Sequence, residues 1–427
     1  VCNDFPNFRD RIWLNVGGKR FRAAPKTAFR STSLSSMAVD VADINRDGFD
    51  DIFVADMLSP RRESRGWQRP DTLSEALSRV LGDPLYRPEV PRNTLHLARG
   101  DGSFAEIAQL AGVAATDWSW GSIFLDVDLD GWEDLLVATG YQHDVQDRDA
   151  FEKMTQQGSR TSFDARLRNL KITPSRLSPS VAFRNRHDLT FADASHEWGF
   201  DTVGVAQGMA LADLDNDGDL DVVINCLNGP ARILRNDSPA PRLAVRLKGR
   251  RGNTQGIGGR IRVTGGPVVQ TQEMISGGRY LSGDDALRVF AAGAAAKLNV
   301  EVRWRSGAIA AASVAAVPRR EGRGANAGPR LQRRPRGSRR GTTRGTDRAA
   351  RAGPAGAAGP ARRTPRTARR RRGAFDRAAG RARPPRRAAR ARTVRRRDRG
   401  DLRGGAAPPL GLAARGQRVV EIGRAHV

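Results

Sequence analysis

Three nine-residue segments place oxygen-bearing side chains at the same offsets. They are Asp43-Ile-Asn45-Arg-Asp47-Gly-Phe49-Asp-Asp51, Asp126-Val-Asp128-Leu-Asp130-Gly-Trp132-Glu-Asp134 and Asp213-Leu-Asp215-Asn-Asp217-Gly-Asp219-Leu-Asp221. Positions 1, 3, 5 and 9 carry a carboxylate or an amide, and position 6 is always glycine. Alternate residues of a tight loop point inward, so these side chains converge. The glycine lets the backbone turn sharply, and the carbonyl of position 7 (Phe49, Trp132 or Asp219) adds another oxygen. Calcium is a hard cation that takes roughly six to eight oxygens in a flexible shell, whereas magnesium prefers a stricter octahedron and keeps its waters. The pattern therefore predicts one calcium ion per loop.

An EF-hand loop opens the same way but needs a helix on each side and a glutamate three residues beyond position 9. That place holds Val54, Val137 and Ile224, β-branched residues in apolar runs. Each loop therefore joins two strands and closes through the carboxylate at position 9. Asp, Asn and Gly are also ordinary turn residues, but three copies at one offset favour the metal over acidic surface turns.

The elements around the loops repeat as well. Phe21, Phe104 and Phe191 each stand 22 residues before the Asp that opens a loop. The layouts upstream are alike: Trp13-Leu14-Asn15 then Gly17-Gly18, His96-Leu97-Ala98 then Gly100-Asp101-Gly102, and Phe183-Arg184-Asn185. The runs 52–54, 135–137 and 222–224 directly after the loops read as buried strands. Many short strands in a periodic array indicate a propeller or a related closed β architecture. Between repeats the spacing is looser, and the slack falls in insertions at about 58–92 and 141–180. These are expected to carry helices at Asp71–Leu81, Asp149–Gln157 and Ser162–Leu170.

Beyond the repeats, Leu243, Val245 and Leu247 alternate with polar residues. So do Ile261 and Val263, and Leu298, Val300, Val302 and Trp304. This period of two between glycine-rich turns predicts a small antiparallel β domain.

At these residues the chain resembles a known family. The loops and the segments before them are similar to FG-GAP/VCBS repeats of integrin-like β-propellers. The stretch Asn93-Thr94-Leu95 through Gly100-Asp101-Gly102-Ser103-Phe104 to Trp118-Ser119-Trp120-Gly121 resembles bacterial relatives of cartilage acidic protein. Those relatives end in an ASPIC/UnbV domain. Its motifs are matched by Asn253-Thr254-Gln255-Gly256-Ile257-Gly258-Gly259-Arg260, Ser276-Gly277-Gly278-Arg279-Tyr280-Leu281-Ser282 and Val302-Arg303-Trp304-Arg305-Ser306-Gly307. The resemblance covers about residues 1–310. Three positions depart from it: Ala98 replaces the usual Asn, Asn45 replaces an Asp, and Phe290-Ala291-Ala292-Gly293 stands for Phe-Gly-x-Gly. The resemblance implies an exported, secreted or cell-envelope protein with a calcium-bound propeller and no established catalytic activity.

The expected architecture is thus all-β. Residues 1–237 form part of an integrin-like propeller with calcium-binding hairpin loops and helical insertions. Residues 238–317 form the small antiparallel β domain, and 318–427 a disordered tail. That tail holds 34 arginines, no lysine and six acidic residues, a net of +28, so residues 1–317 carry −1 of the chain's +27. The folded body is nearly neutral and has no nucleic-acid signature. A tail of Arg, Ala, Gly and Pro cannot bury a core. Such a tail could serve as an Arg-rich nucleic-acid arm, but its composition better suits an out-of-frame translation of GC-rich DNA.

Two cysteines, Cys2 and Cys226, are too few for a disulfide framework or a cysteine-rich zinc site. No apolar run reaches transmembrane length. The chain begins at Val1 without a charged-then-apolar leader, and Asp10–Phe21 already reads as the middle of a repeat. It is therefore expected to start inside a longer protein.

The five histidines, at 96, 143, 187, 196 and 426, have no metal-ligand spacing. Trp118, Trp120, Trp132 and Trp198 suit packing between repeats better than a sugar-binding platform. The functional expectation is a non-catalytic calcium-binding protein with an unknown protein or glycan ligand. The alternative is a polysaccharide-active enzyme with its site on the insertions or in a missing N-terminal part. A convergent His, Tyr or carboxylate cluster near 141–180 would distinguish it.

Overall fold

In the computed structural model the described residues are 1–4, 10–67, 87–156, 163–315, 331–333 and 419–423. They fall in a single unit comprising residues 1–335 and 407–427. The chain opens with a hairpin, β1 (Trp13–Val16) and β2 (Arg20–Ala23), and is then mostly strand. A short parallel pair, β3 (Thr32–Ser33) and β6 (Glu89–Val90), flanks the first four-stranded sheet. That sheet runs β4 (Ala38–Ala42), β5 (Asp51–Ala55), β7 (Thr94–Ala98) and β8 (Phe104–Glu106), in spatial order as in sequence. The second sheet repeats the plan with β9 (Ser119–Leu125), β10 (Asp134–Thr139), β12 (Val181–Asn185) and β13 (Phe191–Asp193). The pair β11 (Ser178–Pro179) and β14 (Val203–Gly204) lies beside it. The third has β15 (Ala206–Ala212), β16 (Asp221–Cys226) and β17 (Arg232–Asn236), with β24 (Leu331–Arg333) on its edge.

Each sheet is antiparallel, a pairing that tight turns can join without a long crossover, and the longer connections from β5 to β7 and from β10 to β12 carry the insertions. The three acidic loops link the first and second strands. Position 9 faces the residue before position 1 in every case: Ala42 opposite Asp51, Leu125 opposite Asp134, and Ala212 opposite Asp221. All of β9 and β10 is buried. Period-two alternation sends Phe124, Leu135 and Val137 against Phe53 and Leu95 of the first sheet, and Ile123, Leu125 and Leu136 against Met209, Leu211 and Ile224 of the third. The second sheet is therefore sandwiched between its neighbours. No sheet closes on itself among the described residues.

Beyond the third sheet, β18 (Arg242–Lys248) pairs with β21 (Arg288–Ala291). A second sheet has the order β20 (Gln270–Glu273), β19 (Arg260–Thr264), β22 (Lys297–Arg303), β23 (Ile309–Ala315). Leu243, Val245 and Leu247 of β18 meet Ile261, Val263, Val300, Val302 and Trp304 in one core. The intervening Ala244, with Val289 and Ala291 of β21, joins the core of the third repeat sheet, so β18 and β21 are buried on both faces. In Phe290-Ala291-Ala292-Gly293 only Gly293 has a positive φ, 56°. Alanine thus fits where the family pattern has its first glycine.

Among the described residues the α-helices are few: α1 (Arg62–Trp67), α2 (Arg148–Gln156) and α3 (Phe163–Ile172). The last two lie within one or two residues of expectation, α1 was not anticipated, and the helix expected at 71–81 lies outside the described residues. No described helix is long and apolar enough to cross a membrane.

Two segments of the Arg-rich stretch depart from the expectation that it stays outside the fold. One is β24; the other is β25 (Val419–Gly423), which pairs in parallel with the edge of β18. An edge strand presents unpaired N–H and C=O groups, and Val419, Val420 and Ile422 are the β-branched run best able to take them. The rest of the stretch lies outside the described residues.

Candidate functional site

The three loops share one backbone. Position 4 is left-handed in each: Arg46 (φ 61°), Leu129 (58°) and Asn216 (59°). Position 6 is again positive at Gly48, Gly131 and Gly218. A non-glycine residue in the left-handed region costs of order 1–3 kcal/mol unless its surroundings over-determine it. Here side-chain oxygens do so.

The position 1 carboxylate accepts the N–H groups of positions 5 and 6, at 3.1 and 3.0 Å for Asp43, 3.0 and 2.9 Å for Asp126, and 3.0 and 3.1 Å for Asp213. Position 5 accepts the N–H of position 7, at 2.8, 2.8 and 3.2 Å for Asp47, Asp130 and Asp217. One oxygen of position 9 accepts the N–H of position 2, from Ile44, Val127 and Leu214. Its other oxygen accepts an N–H at the end of the third strand, from Ala98, Asn185 and Asn236. Closure at position 9 is thus a pair of backbone hydrogen bonds.

In the second and third loops, oxygens of Asp126, Asp128 and Asp130, and of Asp213, Asp215 and Asp217, lie within 4.8 Å of one another. The carboxylates of Asp134 and Asp221 stand outside these two groups. One buried oxygen of Asp128 and one of Asp215 have no hydrogen-bond partner. A buried acceptor without a partner costs free energy, and a cation between three carboxylates satisfies it. The donor set therefore fits a hard divalent cation. In the first loop the Asn45 amide donates to Asp47 at 2.9 Å, and that loop has no such three-carboxylate group. Position 7 differs between loops. Phe49 is half-exposed, Trp132 stacks on His187 at 4.5 Å, and the Asp219 side chain is held by Arg242 at 2.6 Å.

Burial dominates the electrostatics. It pushes Asp51 up to about 7 and Asp221 up to about 6 against their backbone donors. Burial first, and neighbouring carboxylates second, raise Asp126 and Asp134 well above the ordinary range. Burial likewise raises Asp43, Asp128 and Asp213.

Side chains also stitch consecutive loops together. The Asn185 amide donates to the carbonyl of Ile44 in the first loop, and the Asn236 amide to that of Val127 in the second. Ala98 keeps the backbone bond but has no amide to offer. Arg46 of the first loop pairs with Glu133 of the second at 2.6 Å, with both side chains buried. Burial pushes Glu133 up to about 7, opposed by Arg46. Removing one partner of a buried pair costs about 3–5 kcal/mol, whereas replacing both by apolar groups is often neutral. Arg46→Ala is therefore expected to lose about 3–5 kcal/mol in urea unfolding, and Arg46→Met with Glu133→Leu to recover most of it. Additive single-variant effects in the double-mutant cycle would remove the pair from this role.

The remaining sequence candidates are structural. Trp198 is fully buried beneath Arg184, and Trp118 and Trp120 pack with Tyr141 and Tyr280. His96 is buried against Phe29, and burial pulls it down to about 4. His187 contacts Asp130 at 2.8 Å, His143 contacts Thr173, and His196 contacts Asp201. His426 lies outside the described residues. Near the second insertion, Arg176 binds Asp117 at 2.9 Å, and Asp144 accepts from the Trp118 indole at 3.1 Å.

Comparison with protein families agrees with this geometry. Residues 6–54, which take in the first loop, match an FG-GAP-like repeat, and residues 249–319 match the ASPIC and UnbV domain. The chain thus carries an FG-GAP-like repeat near its start and an ASPIC/UnbV domain after the repeat sheets. No curated protein matches it.

Proposed function

We propose that this protein is a non-catalytic, exported binding module whose β-propeller-type scaffold is stiffened by calcium in its loops. The observation that carries the reading is the buried, partnerless oxygen of Asp128 and of Asp215, each within a cluster of three carboxylates. The stacked four-stranded meanders, with equivalent loops stitched together by Asn185, Asn236 and the Arg46–Glu133 pair, support the propeller reading. A bound cation neutralises the carboxylates and fixes the loops that link first and second strands. The ligand is then a protein or glycan presented to a rigid surface. Against a polysaccharide-active enzyme stands Asp117 near the second insertion, whose ion pair with Arg176 favours the ionised form over a general acid.

Calorimetric titration of the full chain with calcium tests the metal. Two sites from the second and third loops are expected, with Kd about 10⁻⁴–10⁻³ M as in extracellular modules, and a weaker one from the first. A flat titration would sink the reading.

A further inference from the structure

We propose that the cleft between the first loop and the outer face of the β20-β19-β22-β23 sheet binds an acidic glycan, a chain bearing uronate carboxylates. The inference rests on the reading of the protein as a binding module and names its ligand class.

The cleft has a volume of about 570 Å³, and an extension of about 390 Å³ runs on along the same sheet and shares Arg262 and Glu301 with it. Strand register decides what lines it. Ile261, Val263, Val300 and Val302 point into the core, so their alternates face outward. Arg260 stands directly opposite Arg303, and Arg262 opposite both Glu301 and Thr271. Like charges directly opposite on a sheet are unfavourable. Arg260 is relieved by Asp50, which it grips through both nitrogens at 2.8 and 2.9 Å, tying the loop to the sheet. Arg262 and Arg303 are exposed and form no ion pair among the described residues. Asp43 and Asp47 accept the loop's own N–H groups and Asp50 is taken by Arg260, so two free guanidinium groups face one uncommitted carboxylate, Glu301. That imbalance is complementary to an anion, and guanidinium binds carboxylates through paired hydrogen bonds.

Two further features favour a sugar over an acidic peptide. Phe49 lies in the cleft, 48% exposed, with its ring seated on Gly100, where a β-carbon would come within 2.8 Å of it. A fixed, half-open aromatic ring is a stacking surface for the apolar face of a pyranose. The floor beyond it offers Thr264, Asn299 and Ser313, small hydrogen-bonding groups suited to sugar hydroxyls.

The test is calorimetric titration of the full chain, in millimolar calcium and physiological salt, with tetragalacturonate. Maltotetraose and tetraglutamate serve as neutral and peptide controls. Tetragalacturonate should bind, and Arg262→Ala with Arg303→Ala should weaken it about tenfold or more, as loss of charge-assisted hydrogen bonds implies. Phe49→Ala should weaken the sugar and leave tetraglutamate unchanged.

Undiminished binding by the double-arginine variant would place the anion elsewhere, the Arg-rich tail included, and overturn the proposal. Equal binding of maltotetraose, or tighter binding of tetraglutamate indifferent to Phe49→Ala, would overturn it too. The double variant should keep the calcium-dependent rise in melting temperature. If that rise is present and wild type ignores tetragalacturonate, the glycan assignment fails while the calcium scaffold stands.

Discussion

Calcium at a hundredfold excess over its Kd is expected to raise the melting temperature of the full chain by about 10–20 °C relative to chelator. Each site that binds only the folded state adds about 2.7 kcal/mol at that excess, and the second and third loops supply two complete clusters. For a body of this size 1 kcal/mol shifts the transition by about 2–4 °C. Asp215→Asn dissects the effect most cleanly. One Asp215 oxygen is buried without a partner and the other is 4.0 Å from Arg235, so the change of charge disturbs little besides the cluster. In calcium the variant should melt several degrees lower than wild type. In chelator it should melt at the same temperature or higher, because it removes repulsion of about 1 kcal/mol or more between neighbouring carboxylates. That reversal of sign marks a metal ligand. Asp217→Ala is a poorer probe, since Asp217 also faces Arg242 at 3.4 Å and its loss mixes two effects. Identical melting curves in chelator and calcium would return the loops to acidic turns.

The same loops set the pH dependence of the metal-free state. Asp51, pushed up to about 7, and Asp221, pushed up to about 6, hold protons in the fold that the unfolded chain has released above about pH 4. A raised carboxylate binds more protons folded than unfolded, so stability is fully present in acid and falls as pH rises toward 6–7. In chelator the melting temperature should therefore decline across that window. In calcium the cation takes the proton's place, and the decline should flatten.

Much of this site was legible because its information is local. Residue type at positions 1, 3, 5, 6 and 9 and the 22-residue offset from Phe to Asp are short-range patterns, and the hydrogen bonds among these positions follow from the turn they dictate. Three features were not legible. The left-handed position 4 is occupied by Arg46, Leu129 and Asn216, which share no chemistry that announces a positive φ. The bonds from Asn185 to Ile44 and from Asn236 to Val127 span 141 and 109 residues, and only tertiary stacking brings them together. The Arg46–Glu133 pair likewise depends on how one loop settles on the next. The edge strand β25 was missed because composition assigned its surroundings to disorder, while its β-branched run followed a different rule. The tryptophans show the opposite case. Their burial follows from size and apolarity alone, and Trp118, Trp120 and Trp198 obey it.

Arg279→Ala should produce the largest loss of any single change outside the loops, about 3–5 kcal/mol, the range for stranding a buried charge. Arg279 sits in the Ser276–Ser282 motif of the C-terminal domain, and its side chain is 7% exposed between Asp40 and Asp284. It meets Asp284 at 2.8 Å, and Asp40 is its other partner. Each carboxylate also accepts a backbone N–H, Asp40 from Phe124 of β9 at 2.7 Å and Asp284 from Leu211 of β15 at 3.1 Å. Asp40 itself belongs to β4, so one guanidinium neutralises the two acceptors that tie together the first strands of all three repeat sheets. Its removal leaves two buried carboxylates facing each other across the space it filled. Arg279→Lys should recover only part of the loss, because a single ammonium cannot reproduce the planar fork toward two carboxylates. The stranded carboxylates take up protons more readily than in wild type, so the deficit should shrink as pH falls. Since Arg279 makes no hydrogen bond or ion pair to a loop residue among the described residues, the deficit should be equal in calcium and in chelator, which separates it from the Asp215→Asn effect. Urea unfolding of both variants under the two conditions reads this directly. A loss below about 1 kcal/mol, the scale of an exposed ion pair, would show that solvent replaces the arginine and that the motif does not hold the sheets together.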